Sequence, residues 1–230
     1  MFVPLHDEPP TRRFAVVTLG LILANAAVFA WELSGRGVNF HVLKDGYYPC
    51  TVQGPCHVPI HPLPWWEGTF TSMFMHAGWL HIGGNMLFLW IFGNNIEDRL
   101  GRLRFLAWYL LAGIAATAVQ TAVTLLWGNA GDASIPNIGA SGAIAGVLGA
   151  YIILLPRASV LTLIGFFFVP LPAFFFLGIW FLLQLWEGGF SLTHPQAGGG
   201  VAFFAHVFGF GFGLLFVRAF AVRAPLRPAW

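Results

Sequence analysis

Residues 138–155 read IGASGAIAGVLGAYIILL, 18 positions without one charge, closed by Pro156. A hydrocarbon layer of about 30 Å takes about 20 apolar residues at 1.5 Å each, so this run reads as a membrane-crossing helix. The rest of the 230 residues agrees: 57% are hydrophobic, 17% aromatic and 9% charged. A soluble domain carries about 25% charged residues. So few charges cannot cover 24 Phe and 10 Trp in water. The same composition excludes disorder. A net charge of +2 is too small to suggest a nucleic-acid partner, and two cysteines are too few for a disulfide scaffold.

Working outward, the apolar stretches predict spans at 14–32, 80–95, 103–127, 138–155, 160–186 and 201–222. Pro170 and Pro172 interrupt the fifth. With a cytoplasmic N-terminus, Arg12, Arg13, Arg99, Arg102, Arg104, Arg157, Arg218, Arg223 and Arg227 lie inside; Arg36 and Lys44 lie outside. That bias follows the positive-inside rule. The expected fold is an all-α polytopic membrane protein, a six-helix bundle over 1–230 with both termini cytoplasmic. The loop 33–79 is then extracytoplasmic. The first span is long for a signal peptide and is read as retained.

Cys50 and Cys56 fall in that outer loop, where oxidation can join them. The alternatives are free thiols, or a metal site with His57 and His61, although the spacing matches no known ligand pattern.

Polar side chains inside a span are costly and point to function. Spans two, four and six carry them: His81 and Asn85, with His76 just before; Ser141 within Gly139-Ala140-Ser141-Gly142; and His206. All three spans run inward, which sets these residues in one layer roughly 5–10 Å below the outer surface. His81 and Asn85, four apart, share a helix face. Gly142, Gly146 and Gly149 share another, as do His206, Gly209 and Gly213. Small residues at such spacings let helices approach closely, so spans four and six are expected to pack glycine face to glycine face, with Ser141 beside His206. Each feature alone has an ordinary structural explanation: a Ser bonded to its own backbone, a His bridging helices, a glycine packing stripe. Their coincidence at one depth carries the weight.

With these motifs in place, the chain resembles the rhomboid intramembrane serine proteases from Pro4 to about Arg218. The resemblance runs through Thr71-Ser72-Met73-Phe74-Met75-His76-Ala77-Gly78-Trp79-Leu80-His81, the His-x-x-x-Asn element at His81–Asn85, Gly-x-Ser-Gly at Gly139–Gly142, and Ala-His-x-x-Gly-x-x-x-Gly at Ala205–Gly213. There are two departures. Glu67 follows Trp65-Trp66 where the family often has Arg, and Ala145 stands where many relatives have an aromatic stacked on the catalytic His. The imidazole must then be held by a Phe of span six or by another helix.

The resemblance implies a Ser–His dyad without a carboxylate, and spans two, four and six hold no Asp or Glu at that depth. It makes Ser141 the nucleophile and His206 the base and then acid. Asn85, His81 and the backbone N–H groups of Ser141 and Ala140 become oxyanion donors. Gly139, Gly142, Gly209 and Gly213 support the site, and His76 is a structural residue at the outer rim. It implies no cofactor and no metal. The implied partners are the lipid bilayer and single-span membrane proteins, cut near the outer boundary after small residues and before helix-breaking ones. The implied location is a bacterial cytoplasmic membrane. A non-catalytic binder or chaperone of transmembrane clients is the alternative. A small transporter would need midplane carboxylates or broken helices, and none is seen.

Overall fold

The computed structural model describes residues 2–54, 56, 58, 60–193 and 202–221. The chain begins with strand β1 (Phe2–Asp7) and helix α1 (Val16–Glu32). The described residues of the loop 33–79 include α2 (Val38–Asp45), a 3-10 turn (Pro49–Val52) and α3 (Trp65–Ser72). Helices α4 (Trp79–Phe88) and α5 (Asn94–Leu100) run on through a π-helical turn at Leu89–Gly93. After these come α6 (Arg102–Trp127), the short α7 (Ala130–Ala133) and α8 (Ser141–Leu154). Strands β2 (Ser159–Ile164) and β3 (Phe167–Pro172), then α9 (Ala173–Thr193) and α10 (Phe203–Phe220), complete it.

Among the described residues, three helices are long and apolar enough to cross a membrane: Arg102–Trp127, Ala173–Phe190 and Phe203–Phe220. Val16–Glu32 and Ser141–Leu154 are apolar but shorter. Leu80, Leu103 and Leu215 stand 95%, 84% and 75% exposed, which marks the outer surface as lipid-facing. Arg223, Arg227 and the last residue of the span expected at 201–222 lie outside the described residues, as does most of the connection between α9 and α10.

The all-α expectation needs correction. β1, β2 and β3 form an antiparallel sheet in that order, and β2–β3 occupy 159–172 where the fifth span was expected to begin. Pro170 and Pro172 cannot continue a helix, and β3 is an edge strand, where proline is tolerated. Gly165, at φ +62°, makes the two-residue turn from Ile164 to Phe167. The fifth helix therefore starts only at Ala173.

Helix α8 sits at the centre, with every residue from Gly142 to Tyr151 buried. Its glycines let α10 lie against it. A Cβ on Gly209 would collide with the Gly142 carbonyl oxygen, and one on Gly213 with that of Gly146. A Cβ on Gly146 would strike Ala112 of α6. Buried polar contacts fix the periphery to this centre. Glu97 accepts hydrogen bonds from the N–H groups of Val17 (3.0 Å) and Thr18 (2.7 Å), placing a carboxylate at the N-terminus of α1. At the far end of α8, Asp7 accepts from the Tyr151 hydroxyl at 2.6 Å and the Asn95 amide at 2.7 Å, which fastens the sheet there.

Candidate active site

Ser141 opens α8, and the preceding turn is held from outside. Tyr47 and Asn137 exchange backbone hydrogen bonds of 3.2 and 2.7 Å. The Gly139 N–H donates to the Ser72 carbonyl at 2.8 Å. Gly139 itself has φ +120°, a conformation that side chains resist. The loop 33–79 thus sets the backbone that delivers Ser141. Because the residue begins a helix, its N–H and those just after it lack acceptors within the helix and carry partial positive charge.

His206 lies near the start of α10. Its Nε2 is 2.7 Å from Ser141 Oγ, and its Nδ1 is 2.6 Å from Gln184 Oε1 on α9. Both partners are uncharged. Trp180, one turn before Gln184, tilts against the ring with centroids 6.1 Å apart, and Phe203 meets it edge-on at 6.4 Å. These residues hold the imidazole. Ala145 instead packs beneath Gly209, where a Cβ on that glycine would come within 3.2 Å of it. The Ala205 N–H, just before His206, donates to Gln120 Oε1 at 3.1 Å.

His81 faces the same turn. A Cβ on Gly139 would lie 2.9 Å from His81 Nε2 and 3.5 Å from Ser141 Oγ. The Ala77 N–H donates to His81 Nδ1 at 3.3 Å. A nitrogen that accepts carries no proton, so Nε2 holds it and lies beside the Gly139 turn that precedes Ser141. Asn85 is less directly engaged, since its amide donates to the His81 carbonyl at 3.1 Å within its own helix. One amide hydrogen remains for another acceptor. Ala140 is fully buried at the cap of α8.

His76 is not at a rim. It is 0% exposed, its ring meets that of His81 at 5.0 Å, and its N–H is shared between both carboxylate oxygens of the buried Glu32 at 3.2 Å. Burial, aided by the neighbouring His81, pushes its pKa down to about 4. The chain tucks inward here because Glu32 and the 73–78 turn satisfy one another.

Gln184, Gln120 and Glu32 were not singled out by sequence reasoning. Each is a polar residue in or ending an apolar stretch, which was the available signal. Cys50 and Cys56 are joined in a disulfide with Cα atoms 5.4 Å apart. His57 lies outside the described residues, so its pairing with His61 does too. Among the described residues, no group of three His, Cys, Asp or Glu could hold a metal.

A small cavity of about 30 Å³, room for a water molecule, reaches Ser141 from the α6 side, past Thr117 and Gln120. The arrangement can therefore do acyl-transfer chemistry: a hydroxyl bonded to a base, N–H groups beside it, and room for a water.

The model of the Rhomboid domain matches residues 63–223. The chain is 31% identical over 204 residues to RHOMBOID-like protein 12, mitochondrial, of Arabidopsis thaliana, covering 81% of this chain and 55% of that one. It is 29% identical over 152 residues to Rhomboid protease AarA of Providencia stuartii, 60% of this chain and 50% of the relative. It is 35% identical over 103 residues to presenilin-associated rhomboid-like protein, mitochondrial, of Bos taurus, 45% of this chain and 25% of the relative. The chain thus spans from about a quarter to about half of the length of these relatives.

Proposed function

The chain belongs to the rhomboid family, and from that premise we propose that it is an intramembrane serine endopeptidase acting through Ser141 and His206. The observation that carries this reading is the 2.7 Å bond between Ser141 Oγ and His206 Nε2. Similarity to a bacterial rhomboid protease supports it.

In the proposed reaction, His206 Nε2 takes the Ser141 proton as Oγ attacks the scissile carbonyl. The imidazolium then protonates the leaving amine, and water, activated by the same ring, releases the acyl group. The oxyanion receives hydrogen bonds from His81 Nε2–H, the free amide hydrogen of Asn85 and the first N–H groups of α8. Removing one such donor costs about 3–4 kcal/mol in the transition state.

The reading includes six spans, both termini cytoplasmic, and a site near the outer face of a bacterial-type cytoplasmic membrane. Helix α8 has 14 residues. At 1.5 Å per residue it is about 21 Å long, against about 30 Å for the hydrocarbon layer. Its start therefore lies below the outer boundary, in a recess that water can fill because protein, not lipid, surrounds it. Substrates are transmembrane segments of other membrane proteins.

The test is cleavage of a single-span reporter by the purified protein in lipid vesicles, with fragments identified by mass. Cleavage within or beside the transmembrane segment is expected. Reporter binding without cleavage would replace this reading with the non-catalytic binder.

A further inference from the structure

The dyad has a third partner. Gln184 of α9 places Oε1 2.6 Å from His206 Nδ1, on the side of the ring opposite Ser141. We infer that Gln184 is a positioning residue that fixes the catalytic tautomer of His206, doing with an uncharged amide what a carboxylate does in a three-residue serine site. This inference rests on the protease reading above.

The argument is one of donors and acceptors. A carbonyl oxygen only accepts, so the contact is attractive only when Nδ1 carries the proton. Nε2 is then left with its lone pair, and it is Nε2 that meets the Ser141 hydroxyl. The other tautomer sets two lone pairs against each other at Nδ1 and aims an N–H at Ser141, which leaves the hydroxyl without a base. A reversed Gln184 amide would likewise push the ring into that inactive form, so the orientation of the amide decides the outcome.

The chemistry of the site also favours Gln over Asp or Glu. An ionised carboxylate on an apolar membrane helix is expensive, whereas an amide is neutral and still presents a carbonyl dipole. When the Ser141 proton moves to Nε2, the ring becomes cationic with protons on both nitrogens. The Gln184 carbonyl faces that charge and steadies it. Trp180, four residues earlier on the same helix face, lies against the same ring. Helix α9 therefore supplies two of the three contacts that hold the imidazole toward Ser141, Phe203 of α10 being the third.

The experiment combines steady-state kinetics on the single-span reporter with nitrogen-15 spectra of the His206 ring, for the full chain and for Gln184→Leu, Gln184→Glu and Ser141→Ala. Gln184→Leu should lower kcat about 10- to 100-fold, by analogy with the loss of a partner that orients a metal-bound histidine, with KM unchanged. Its ring spectrum should change from the Nδ1–H form to a mixture. Gln184→Glu should restore the Nδ1–H form and most of kcat, which a packing role would not do. Unchanged kcat and an unchanged tautomer in Gln184→Leu, in an enzyme that Ser141→Ala silences, would overturn the role of Gln184 alone. Absence of cleavage by the unaltered protein would instead defeat the protease reading.

Discussion

Ser141 Oγ and His206 Nε2, 65 positions apart in the chain, stand 2.7 Å from each other at the same end of two parallel, touching helices. Neither residue could reach the other if α8 and α10 were separated by ordinary side chains. The glycine stripe that brings the backbones together is therefore as much a part of the site as the two side chains.

That dependence predicts the effect of Gly209→Val. The new side chain has the Gly142 carbonyl oxygen in its path, and backbone cannot give way cheaply. Overpacking of this kind costs about 1–3 kcal/mol. Thermal unfolding in detergent should shift to lower temperature and activity should fall with it. Gly211→Ala, where nothing lies within 4 Å, is the control and should behave as the parent does.

Gly139→Ala separates geometry from stability. At φ +120° the alanine is strained, and its Cβ would press on His81 Nε2 at 2.9 Å. Turnover should drop at least about 10-fold, as misplacing catalytic groups does, while the unfolding temperature changes less than in Gly209→Val. The paired measurements are reporter cleavage and a thermal scan.

Asn85→Ala and His81→Phe each remove a proposed oxyanion donor. Each should lower kcat about 100- to 1,000-fold and leave KM nearly unchanged. His81→Phe should be the more damaging, because His81 Nε2 already faces the Gly139 turn whereas Asn85 is bonded within its own helix. A rise in KM alone would remove either residue from the oxyanion role.

Much of this site was legible in the sequence because polar residues stand out in apolar spans. Ser141, His206, His81 and the glycine spacings are all of this kind. The hairpin at 159–172 was not legible, because residues apolar on both faces satisfy a membrane window as well as a strand does, and only Pro170 and Pro172 argued otherwise. Gln184 was hidden for a different reason. A lone amide in a 21-residue helix has no motif, and its meaning comes only from a partner on another helix. His76 reads from the sequence as a structural residue at the outer rim, and only Glu32, 44 positions away, shows why it is drawn inside.

The buried His76 gives stability a pH dependence of known sign. Its ordinary pKa is 6.5, and in the fold it is pushed down to about 4. Between these values the unfolded chain binds the extra proton, so His76 contributes full stability above about pH 6.5 and loses it as pH falls toward 4. Asp7, whose carboxyl burial pushes up, acts in the opposite sense. Comparison with His76→Gln therefore isolates the histidine: the drop in unfolding temperature from pH 7 to pH 5 should be smaller in the variant than in the parent.

The most direct test of the Ser141–His206 account is covalent capture of the nucleophile. A fluorophosphonate should add once to the membrane-embedded protein, and mass mapping should find the adduct on Ser141. His206→Ala should fold as the parent does, by its thermal transition, and fail to react. Labelling of another residue, or equal labelling of Ser141 without His206, would contradict the account.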